Sequence, residues 1–430
     1  MRILWIVNIT MPDACEALGW PRPVIGGWLE GYQQALLQQG QDAELHVIAP
    51  GLRQAEVQTG RVCHHIFPQQ WLDDGAGFAS QQRSRLTPLS NQLAAFLLRI
   101  NDEVRPDVVH LHGTELAHSL VWVEACGSNH TLVSIQGLTS VYARYYMGGL
   151  TREELKGCWS LDDWRWHRTL RQQQREMMQR GVNETMLLSR MQHVAGRTLW
   201  DRAHAWAINP QAQYHTLQEV LRAPFYLDAN RWQLGQCQRH AIFVSQSHYP
   251  IKGLHRLLDA LPLILRHYPD TQLYVVGDNR TDAPWYHRSA YVNVLRRKVS
   301  EASLSDHLHY LGMLSADDMI RQYRRAHVFV CPSAIENSCN SVCEAQLLGV
   351  PVVASQAGGM ADLITDGADG LLYRYEEVEM LAQAVCRIFA DDTLAQRLST
   401  AAHDKAAQRH DRDAIAQTLL HIYNEISDLG

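Results

Sequence analysis

The sequence predicts an α/β protein built from two doubly wound domains, and three observations lead to this prediction. The chain has 430 residues, which is enough for two domains of ordinary size. Short apolar runs rich in valine and isoleucine alternate with helical patterns, as in parallel sheets that helices cover on both faces. The alternation forms two series, one in each half of the chain, so we expect two sheets rather than one large sheet.

The predicted elements follow one another with the same rhythm in both halves. The strands of the first half are residues 3–7, 43–49, 107–111, 131–135 and 205–208. Those of the second half are residues 241–245, 272–277, 308–312, 327–331, 350–355 and 370–373. Helical periodicity predicts helices between them, for example at 28–39, 93–104, 254–267, 316–325 and 377–389.

The boundary between the domains is expected in residues 209–238, which contain two prolines and few apolar repeats. The domains would then be residues 1–215 and 216–410. A C-terminal helix, residues 411–430, is expected to return towards the first domain.

Composition and charge exclude several classes of protein. The net charge is −6, from 39 basic and 45 acidic residues, which argues against a general nucleic-acid binder. No apolar run reaches the roughly 18 residues that a transmembrane helix needs. The nine scattered cysteines include no C-x-x-C pair and favour a reducing compartment over a disulfide scaffold. We therefore expect a cytoplasmic protein with no nucleic-acid partner.

Short motifs for metals, phosphates and hydrolysis are missing from the sequence. It has no G-x-G-x-x-G behind the first strand, no P-loop and no G-x-S-x-G. H-E-x-x-H is absent, and the single D-x-D triplet, residues 411–413, lies in the C-terminal helical tail. Cys339 and Cys343 are close in sequence but lack two further ligands nearby. We expect no metal and no cofactor.

The most specific stretch is residues 332–355, which reads as a loop, a helix, a glycine stop and the next strand. Glu336 lies in the loop, and Glu344 follows eight residues later, about one turn into the helix. The exposed N–H groups of a helix start suit a phosphate, and carboxylates beside it can accept hydrogen bonds from sugar hydroxyls. Residues suited to capping this helix are Asn337, Ser338, Asn340 and Ser341. On spacing alone, a capped surface helix with two solvated glutamates is an equal alternative.

This stretch resembles the E-x7-E signature of the family 4 glycosyltransferases. These are retaining enzymes of the GT-B fold, in which two Rossmann-like domains face each other across a cleft. The likeness extends through the C-terminal half and, more loosely, over nearly the whole chain. The other stretches that resemble the family are residues 245–254, 276–278, 311–313 and 357–362, the pair Gly26-Gly27, and residues 107–113. Residues 136–138 and 196–201 resemble a branch found in bacterial capsule, O-antigen and exopolysaccharide clusters.

The resemblance implies a donor site in the second domain. Lys252 would pair with the diphosphate of the donor, a point charge against a leaving group that gains negative charge. Glu336 would bind the hydroxyls of the donor sugar, and Glu344 those of the ribose. The other donor-binding positions implied are Gly26, Gly27, Gln246, Gly312, Met313, Asn340, Ser341 and Val342.

The resemblance places the acceptor side in the first domain. His112 would lie at the anomeric carbon, with Gln136 and Arg197 nearby, so the catalytic set is His112, Lys252 and Glu336. One position departs from the family, which usually has an arginine a few residues before its lysine where this chain has Ser245-Gln246-Ser247. Arg197, or His248 in its protonated form, would have to supply the missing cation.

The function implied is a retaining, metal-independent glycosyltransferase. It would move a sugar from a nucleotide-diphosphate sugar to the hydroxyl of a glycan or lipid-linked glycan, in the synthesis of a bacterial surface polysaccharide. No side chain is placed as a nucleophile, so the resemblance implies front-face attack in which the departing phosphate takes the acceptor's proton. The alternatives are a sugar-nucleotide epimerase on the same fold and a non-catalytic sugar-nucleotide binder.

Residues 159–180 suggest peripheral contact with the inner face of a membrane. In one continuous helix, Trp164 would share a face with three arginines, and such a face suits a headgroup interface. The tryptophans are Trp159, Trp164 and Trp166, and the arginines of the segment are Arg165, Arg168, Arg171, Arg175 and Arg180. The alternative is a helix of the first domain whose rings pack inward and whose arginines are solvated.

Overall fold

The computed structural model describes residues 1–23, 26–72, 91–227, 231–246 and 248–428. The chain divides into two compact units. The N-terminal unit consists of Met1–Ala143, Arg175–Arg222 and His410–Gly430. The C-terminal unit consists of Arg144–Gln174 and Ala223–Arg409. Residues 144–174, which the sequence assigned to the first domain, therefore belong to the C-terminal unit, whereas the last helix belongs to the N-terminal one.

The strands form one sheet in each unit. The strands of the N-terminal unit are β1 Arg2–Ile6, β2 Glu44–Gly51, β3 Ala55–Thr59, β4 Val62–Pro68, β5 Val108–Leu111, β6 Thr131–Ser134, β7 His193–Gly196 and β8 Gln213–Thr216. The strands of the C-terminal unit are β9 Ala241–Val244, β10 Gln272–Val275, β11 Leu308–Tyr310, β12 Val328–Cys331, β13 Val352–Ser355 and β14 Leu371–Tyr373.

Helices separate most of these strands. The helices of the first half of the chain are α1 Pro12–Leu18, α2 Gly27–Gln39, α3 Asn91–Val104, α4 Ala117–Cys126, α5 Thr139–Tyr145, α6 Arg152–Leu155, α7 Leu161–Arg165, α8 Leu170–Leu188 and α9 Leu199–Ile208. Those of the second half are α10 Pro224–Leu227, α11 Leu254–Leu265, α12 Ala290–Glu301, α13 Ala316–Arg325, α14 Asn340–Leu347, α15 Met360–Leu363, α16 Val378–Ala390, α17 Asp392–Arg409 and α18 Arg412–Asp428.

The sheet of the N-terminal unit has the strand order β3-β4-β2-β1-β5-β6-β7-β8. All neighbours are parallel except the β3–β4 hairpin. The chain adds β2 on one side of β1 and β5 on the other, so the order reverses between β1 and β5. Ligands of doubly wound sheets bind at such a switch point, beyond the carboxyl ends of the strands.

The sheet of the C-terminal unit has the order β11-β10-β9-β12-β13-β14 and is parallel throughout. Its order reverses between β9 and β12, which pair directly through Val328 and Ile242. The strands β9, β12 and β13 are buried along their whole length, as expected for strands that helices cover on both faces. The prediction of two doubly wound α/β domains is confirmed.

The predicted strand at residues 205–208 is wrong. These residues end helix α9, which begins where the Thr198 hydroxyl accepts a hydrogen bond from the backbone N–H of Asp201. In turn, the Asp201 carboxylate accepts a hydrogen bond from the Thr198 backbone N–H, which completes a capping box. The strand of this region is β7, whose apolar run is too short to give a periodic signal. The expected linker, residues 209–238, contains β8 and α10, and the units divide between Arg222 and Ala223.

The C-terminal helix α18 is anchored to the first sheet by a buried hydrogen-bonded chain. The Trp5 indole N–H donates to the Tyr423 hydroxyl at 2.8 Å, and this hydroxyl lies 2.6 Å from Nδ1 of His110. The other ring nitrogen of His110 lies 2.7 Å from the Ser134 hydroxyl. Strands β1, β5 and β6 are therefore joined to α18 through side chains that are all satisfied.

The single helix predicted over residues 159–180 is wrong. Helix α7 ends at Arg165, His167 has a left-handed backbone with φ of 49°, and α8 begins only at Leu170. Trp164 and Arg168 therefore lie on no common helix face. The inward-packing alternative is also wrong, because the side chains of Trp159, Trp164 and Trp166 are 63%, 64% and 56% exposed. Within the described part of the chain, no helix has both the length and the apolar character to cross a bilayer.

Candidate functional site

The switch point of the C-terminal sheet brings together the loops that follow β9 and β12. After β9, a short 3-10 turn at Pro250–Lys252 ends at Gly253, which has a φ of 71° and begins α11. A Cβ atom at Gly253 would collide with the carbonyl oxygen of Pro332, so only glycine permits this approach. The backbone N–H of Ala334 also donates to the Ile251 carbonyl at 2.7 Å. The two loops are thereby fixed against each other.

Lys252 and Glu336 form an ion pair where these loops meet. The Lys252 ammonium donates to Oε1 of Glu336 at 2.7 Å, and the two side chains are 23% and 9% exposed. Burial disfavours the ammonium, but the neighbouring carboxylate and thiols outweigh it and raise the pKa of Lys252 above its usual range. The site therefore keeps a fixed positive charge beside a carboxylate in a partly dry environment.

A pocket of about 240 Å³ opens at this ion pair. Its lining includes four of the predicted donor residues, namely Gln246, Lys252, Glu336 and Ser341. Among the described residues, Glu344, Gly312 and Met313 do not line it. Glu344 is buried in α14, one turn beyond the pocket.

The N-terminus of α14 points its first turn towards this region. The residue before the helix is Cys339, which gives the helix no side-chain hydrogen bond, so Asn337 and Ser338 do not act as the N-cap. Oδ1 of Asn340, in the first turn, is buried without a hydrogen-bond partner. Val342, the third helical residue, is fully buried. Asn340 and Ser341 thus stand at a helix start of the kind that binds anions.

Two glycines that were not singled out as functional hold the backbone of Glu336. The Gly359 N–H donates to the Glu336 carbonyl at 2.9 Å. Gly358 has a φ of 62°, and a Cβ atom there would collide with the same carbonyl oxygen. The signal was present in the sequence as the Gly358-Gly359 pair behind β13, and the resemblance had already marked that loop.

The turn at Gly312 and Met313 lies beyond β11, at the edge of the sheet. Gly312 has a φ of 68° and exchanges two backbone hydrogen bonds with Gly277, at 2.9 and 3.1 Å. The Met313 side chain is 66% exposed. The structure therefore separates these two residues from the Lys252 pocket by one strand, β10.

A second pocket of the C-terminal unit, of about 350 Å³, lies near this turn. Its lining includes His248, Asp278, Arg280, Tyr291 and Tyr310. Burial, and secondly the Arg280 charge, lower the pKa of His248, so this histidine is poorly suited to supply a cation. Sequence reasoning missed Arg280, because no spacing rule connects it with the loop after β9.

In the N-terminal unit, the predicted glycine loop and His112 flank the switch point. Gly26 has a φ of 82° and precedes α2, and a Cβ atom there would collide with the Ile9 side chain. Gly27 is the first helical residue, where a Cβ atom would lie 3.3 Å from Cγ of Arg222. His112 follows β5, whose residues are all buried.

Among the described residues, aromatic rings enclose His112 and no polar group bonds to it. Its ring lies 4.5 Å from that of Trp5, 5.9 Å from Trp28 and 6.0 Å from Tyr32, between centroids. Both ring nitrogens are buried without a hydrogen bond. Burial lowers the pKa of His112 to about 3, so the imidazole is neutral at physiological pH.

A pocket of about 250 Å³ lies beside this imidazole. It brings His112 together with Gln136 and Arg197, the other two residues predicted for the acceptor side. Arg197 is ion-paired with Glu219 and donates to the carbonyls of Ile135 and Gln136 at 3.0 and 2.8 Å. Its charge is therefore already matched within this unit, and Glu219 is a lining residue that the sequence did not reveal.

One group of side chains in the described residues has the spacing of metal ligands. The Sγ atoms of Cys331 and Cys339 and a carboxylate oxygen of Glu336 all lie within 4.8 Å of one another. Cys343, which is close to Cys339 in sequence, does not belong to this group, and its sulfur lies 3.8 Å from the Arg409 guanidinium instead.

Comparison with known families matches the C-terminal unit. Residues 238–391 match the family described as "Glycosyl transferases group 1". This range contains Lys252, Glu336 and Glu344, and it covers the sheet from β9 to β14 and most of its helices. The C-terminal unit thus carries a glycosyl transferases group 1 domain.

Curated relatives match the chain over less than half of its length. Spore coat protein SA of Bacillus subtilis is 25% identical over 178 residues, covering 41% of this chain and 46% of the relative. Phosphatidyl-myo-inositol mannosyltransferase of Mycobacterium tuberculosis is 28% identical over 194 residues, covering 44% and 48%. The chain therefore spans about half the length of the curated relatives it matches.

Solved structures match nearly the whole chain in fold. Sucrose-phosphate synthase of Thermosynechococcus elongatus superposes with a TM-score of 0.68 at 16% identity, covering 100% of both chains. Anabaena HepE in complex with UDP-glucose gives 0.64 at 17% identity, covering 99% of this chain and 100% of that one. At such identities the likeness is one of fold, and together with the two switch-point sheets it shows that the fold is GT-B.

Proposed function

We propose that this protein is a retaining glycosyltransferase that uses a nucleotide-diphosphate sugar as its donor. One observation carries the proposal: a partly buried lysine–glutamate ion pair lies at the switch point of the sheet that matches the glycosyl transferases group 1 family. A diphosphate needs fixed positive charge, and a sugar needs hydrogen-bond acceptors. Lys252 and Glu336 offer both within 2.7 Å.

On the donor side, Lys252 binds the diphosphate and stabilises the negative charge that develops as the sugar leaves. When the Lys252 ammonium turns to the diphosphate, the carboxylate of Glu336 accepts hydrogen bonds from the sugar hydroxyls. The first turn of α14, at Asn340, Ser341 and Val342, offers backbone N–H groups to phosphate oxygens. Glu344 binds the ribose.

Other donor contacts are assigned to Gln246, which lines the Lys252 pocket, and to Gly312 and Met313 at the edge strand. Arg280, in the neighbouring pocket, supplies the cation that the family usually places before its lysine. Gly26 and Gly27 keep their assignment to the donor, since they form the N-terminus of α2, and the N–H groups of a helix start suit a phosphate.

On the acceptor side, His112 works as a neutral imidazole beside the pocket that Gln136 and Arg197 line. The reaction retains the anomeric configuration by front-face attack through an oxocarbenium-like state. The departing phosphate accepts the proton of the attacking hydroxyl. The protein side chains position the substrates and stabilise the developing charges, and we assign no catalytic metal to this reaction.

The acceptor is proposed to be a glycan or lipid-linked glycan of a bacterial surface polysaccharide, reached at the inner face of the membrane. Exposed tryptophans at positions 159, 164 and 166 support the membrane contact. HepE, a fold neighbour, was solved in complex with UDP and with UDP-glucose, which supports a nucleotide-sugar donor.

The test is a thermal-shift screen of the full chain across nucleotide sugars, followed by product analysis of those that bind. Binding to the folded state raises the apparent stability, by about 2.7 kcal/mol at a hundredfold excess over Kd. Turnover that yields free nucleotide diphosphate and a glycosylated acceptor supports the proposal. An epimerised sugar nucleotide would make the protein an epimerase, and binding without any turnover would make it a binding protein.

A further inference from the structure

Two cysteine thiols of the proposed donor pocket lie in contact with each other, and the proposed glycosyl transfer uses neither. Cys331 is the last residue of β12, and Cys339 immediately precedes α14. Their sulfur atoms lie 3.8 Å apart, and both residues line the pocket with Glu336, which the intervening loop carries. All nine cysteines are free thiols, so Cys331 and Cys339 are not joined by a disulfide bond.

The sulfur separation fits a bound ion. Two sulfur ligands at about 2.3 Å from a tetrahedral zinc ion lie about 3.8 Å from each other. The Glu336 carboxylate supplies a third ligand atom within 4.8 Å of both sulfurs. Thiolates select soft or borderline cations such as Zn²⁺ over Mg²⁺. The fourth position would open into the pocket, where water is available.

We propose that Cys331, Glu336 and Cys339 form a binding site for a thiophilic divalent cation of the Zn²⁺ class, and that this cation competes with the nucleotide-sugar donor. The competition follows from Glu336: a carboxylate that ligates the cation is no longer available to the sugar hydroxyls of the donor, to which the proposed function assigns it. The competition with the donor rests on the proposed function, whereas the metal site itself does not.

The charges around the site balance when the ion is bound. Two thiolates and one carboxylate around a divalent cation leave one negative charge, which the Lys252 ammonium can offset from a neighbouring position. The Lys252 side chain is 23% exposed and so has room to move. Ligation releases the two thiol protons to the buffer.

The experiment measures binding of Co²⁺ and Zn²⁺ to the reduced full-length chain, kept anaerobic and freed of metal with a chelator. We expect one Co²⁺ per chain with the near-ultraviolet absorption of cobalt–thiolate bonds. Calorimetry with Zn²⁺ in buffers of different ionisation enthalpy should report about two protons released. Mg²⁺ should give neither signal.

Variants separate this site from the other thiols. Cys339→Ser should weaken Zn²⁺ binding by at least about a hundredfold, beyond the ten- to hundredfold typical of an outer-shell partner. Cys386→Ser removes a half-buried thiol of α16, outside the pocket, and should bind Zn²⁺ like the parent protein. Melting temperatures without metal show whether each variant is folded. If Cys339→Ser is unstable, Cys331→Ala provides the same test.

Binding of no ion, binding without cobalt–thiolate absorption, or equal binding by Cys339→Ser would overturn the site. The competitive half is tested by titrating Zn²⁺ against each nucleotide sugar that binds. A rise of the donor's apparent Kd in the parent but not in Cys339→Ser supports it. Unchanged donor affinity with Zn²⁺ bound would overturn the competition and leave the metal site standing. A protein that binds Zn²⁺ but no nucleotide sugar would contradict the proposed function alone.

Discussion

The two sheets of this protein reverse their strand order at equivalent places, yet the two switch points carry different chemistry. Between β9 and β12, the C-terminal unit presents an ammonium and a carboxylate. Between β1 and β5, the N-terminal unit presents a neutral imidazole inside a shell of Trp5, Trp28 and Tyr32. The same topology thus provides a charged pocket at Lys252 and a second pocket, called the aromatic pocket after the rings around His112, whose own ion pair is Arg197 with Glu219.

The difference shows that topology fixes where a ligand binds and loop chemistry decides which ligand it is. At the charged pocket, burial strengthens the attraction between a cation and a phosphate, since a low dielectric screens charges less. At the aromatic pocket, burial removes the charge from the histidine instead. We infer that the C-terminal unit holds the anionic donor and that the N-terminal unit holds a less polar partner, the acceptor sugar.

Loss of Lys252 should have the largest effect. Lys252→Ala should lower turnover by at least about a hundredfold, the usual scale for removing one group that stabilises developing charge. Glu336→Ala should reach the same scale, because the sugar loses its acceptor and Lys252 its partner. Glu344→Ala should mainly weaken nucleotide binding. Rates and affinities from steady-state kinetics and calorimetry measure these effects.

Lys405→Ala is the matched control for that prediction. Lys405 also forms an ion pair in the C-terminal unit, with Asp369 at 2.9 Å, but it lies outside both pockets. It should change turnover by less than about twofold, as expected for a partly exposed pair. A near-normal rate in folded Lys252→Ala would show that the charged pocket is not the donor site.

His112→Ala should impair the acceptor side of the reaction, in the N-terminal unit. Because His112 faces the aromatic pocket, the variant should lose transfer by at least about tenfold while it keeps its affinity for the nucleotide diphosphate, measured by calorimetry. His118→Gln serves as the control, since His118 is equally buried but its ring is bonded to the Val7 carbonyl at 2.9 Å. Joint loss of transfer and nucleotide affinity in His112→Ala would instead assign the residue to the fold or the donor pocket.

Most of the fold could be predicted because buried parallel strands leave a strong apolar signal. Where the signal failed, a local interaction overrode it. Residues 205–208 are apolar enough for a strand, but the capping box at Thr198 starts helix α9, and these residues form its last turn. The β3–β4 hairpin was missed because its turn at Gly60 joins strands of mixed polarity.

The candidate site could be predicted only as far as the family resemblance reaches. Spacing alone left Glu336 ambiguous, and the loops of Glu336 and Lys252 were assigned to a donor site because they resemble those of the family. The structure brings the two residues together across 84 positions of sequence. Glu219 and Arg280 could not be found, since each meets its pocket through tertiary packing alone. The proximity of Cys331 to Cys339 depends in the same way on how the loop returns to β12.

Acid should destabilise both units, and histidines buried in the neutral form are one cause. Burial lowers the pKa of His118 to about 4 and that of His327 to about 3. Below about pH 6.5 these histidines bind protons in the unfolded chain but stay neutral in the folded chain. Each of them therefore lowers the free energy of unfolding by about 1.4 kcal/mol per pH unit as the pH decreases towards its folded pKa.

His118→Gln and His327→Asn test this in the N-terminal and C-terminal unit, respectively. Each amide preserves one hydrogen bond of the ring, to the Val7 carbonyl and from the His240 N–H. Urea unfolding at pH 7, 6 and 5 should show a flatter dependence on pH in each variant. Slopes identical to the parent protein would mean that these histidines do not couple folding to protons.

The smallest expected effect concerns which unit meets a membrane. The aromatic surface of Trp159, Trp164, Trp166, Trp285 and Tyr286 belongs to the C-terminal unit, not to the N-terminal domain to which the sequence assigned its first three members. Helix α7 and the turn at Trp285–His287 are in contact there, because Nδ1 of His287 lies 3.4 Å from a carboxylate oxygen of Asp162. Exposed tryptophans suit the headgroup boundary, and each nearby arginine adds about 1 kcal/mol of attraction to anionic lipid.

Changing Arg168 and Arg171, which are exposed beside this surface, to glutamate should therefore reduce flotation with anionic liposomes several-fold. The matched control is Trp206→Ala, which removes a tryptophan that is 68% exposed on α9 of the N-terminal unit and should float like the parent protein. If Trp206→Ala lost binding instead, the N-terminal unit would be the one at the membrane. If the parent protein did not float at all, the aromatic surface would have no lipid partner, and the two units would differ only in the ligands of their switch points.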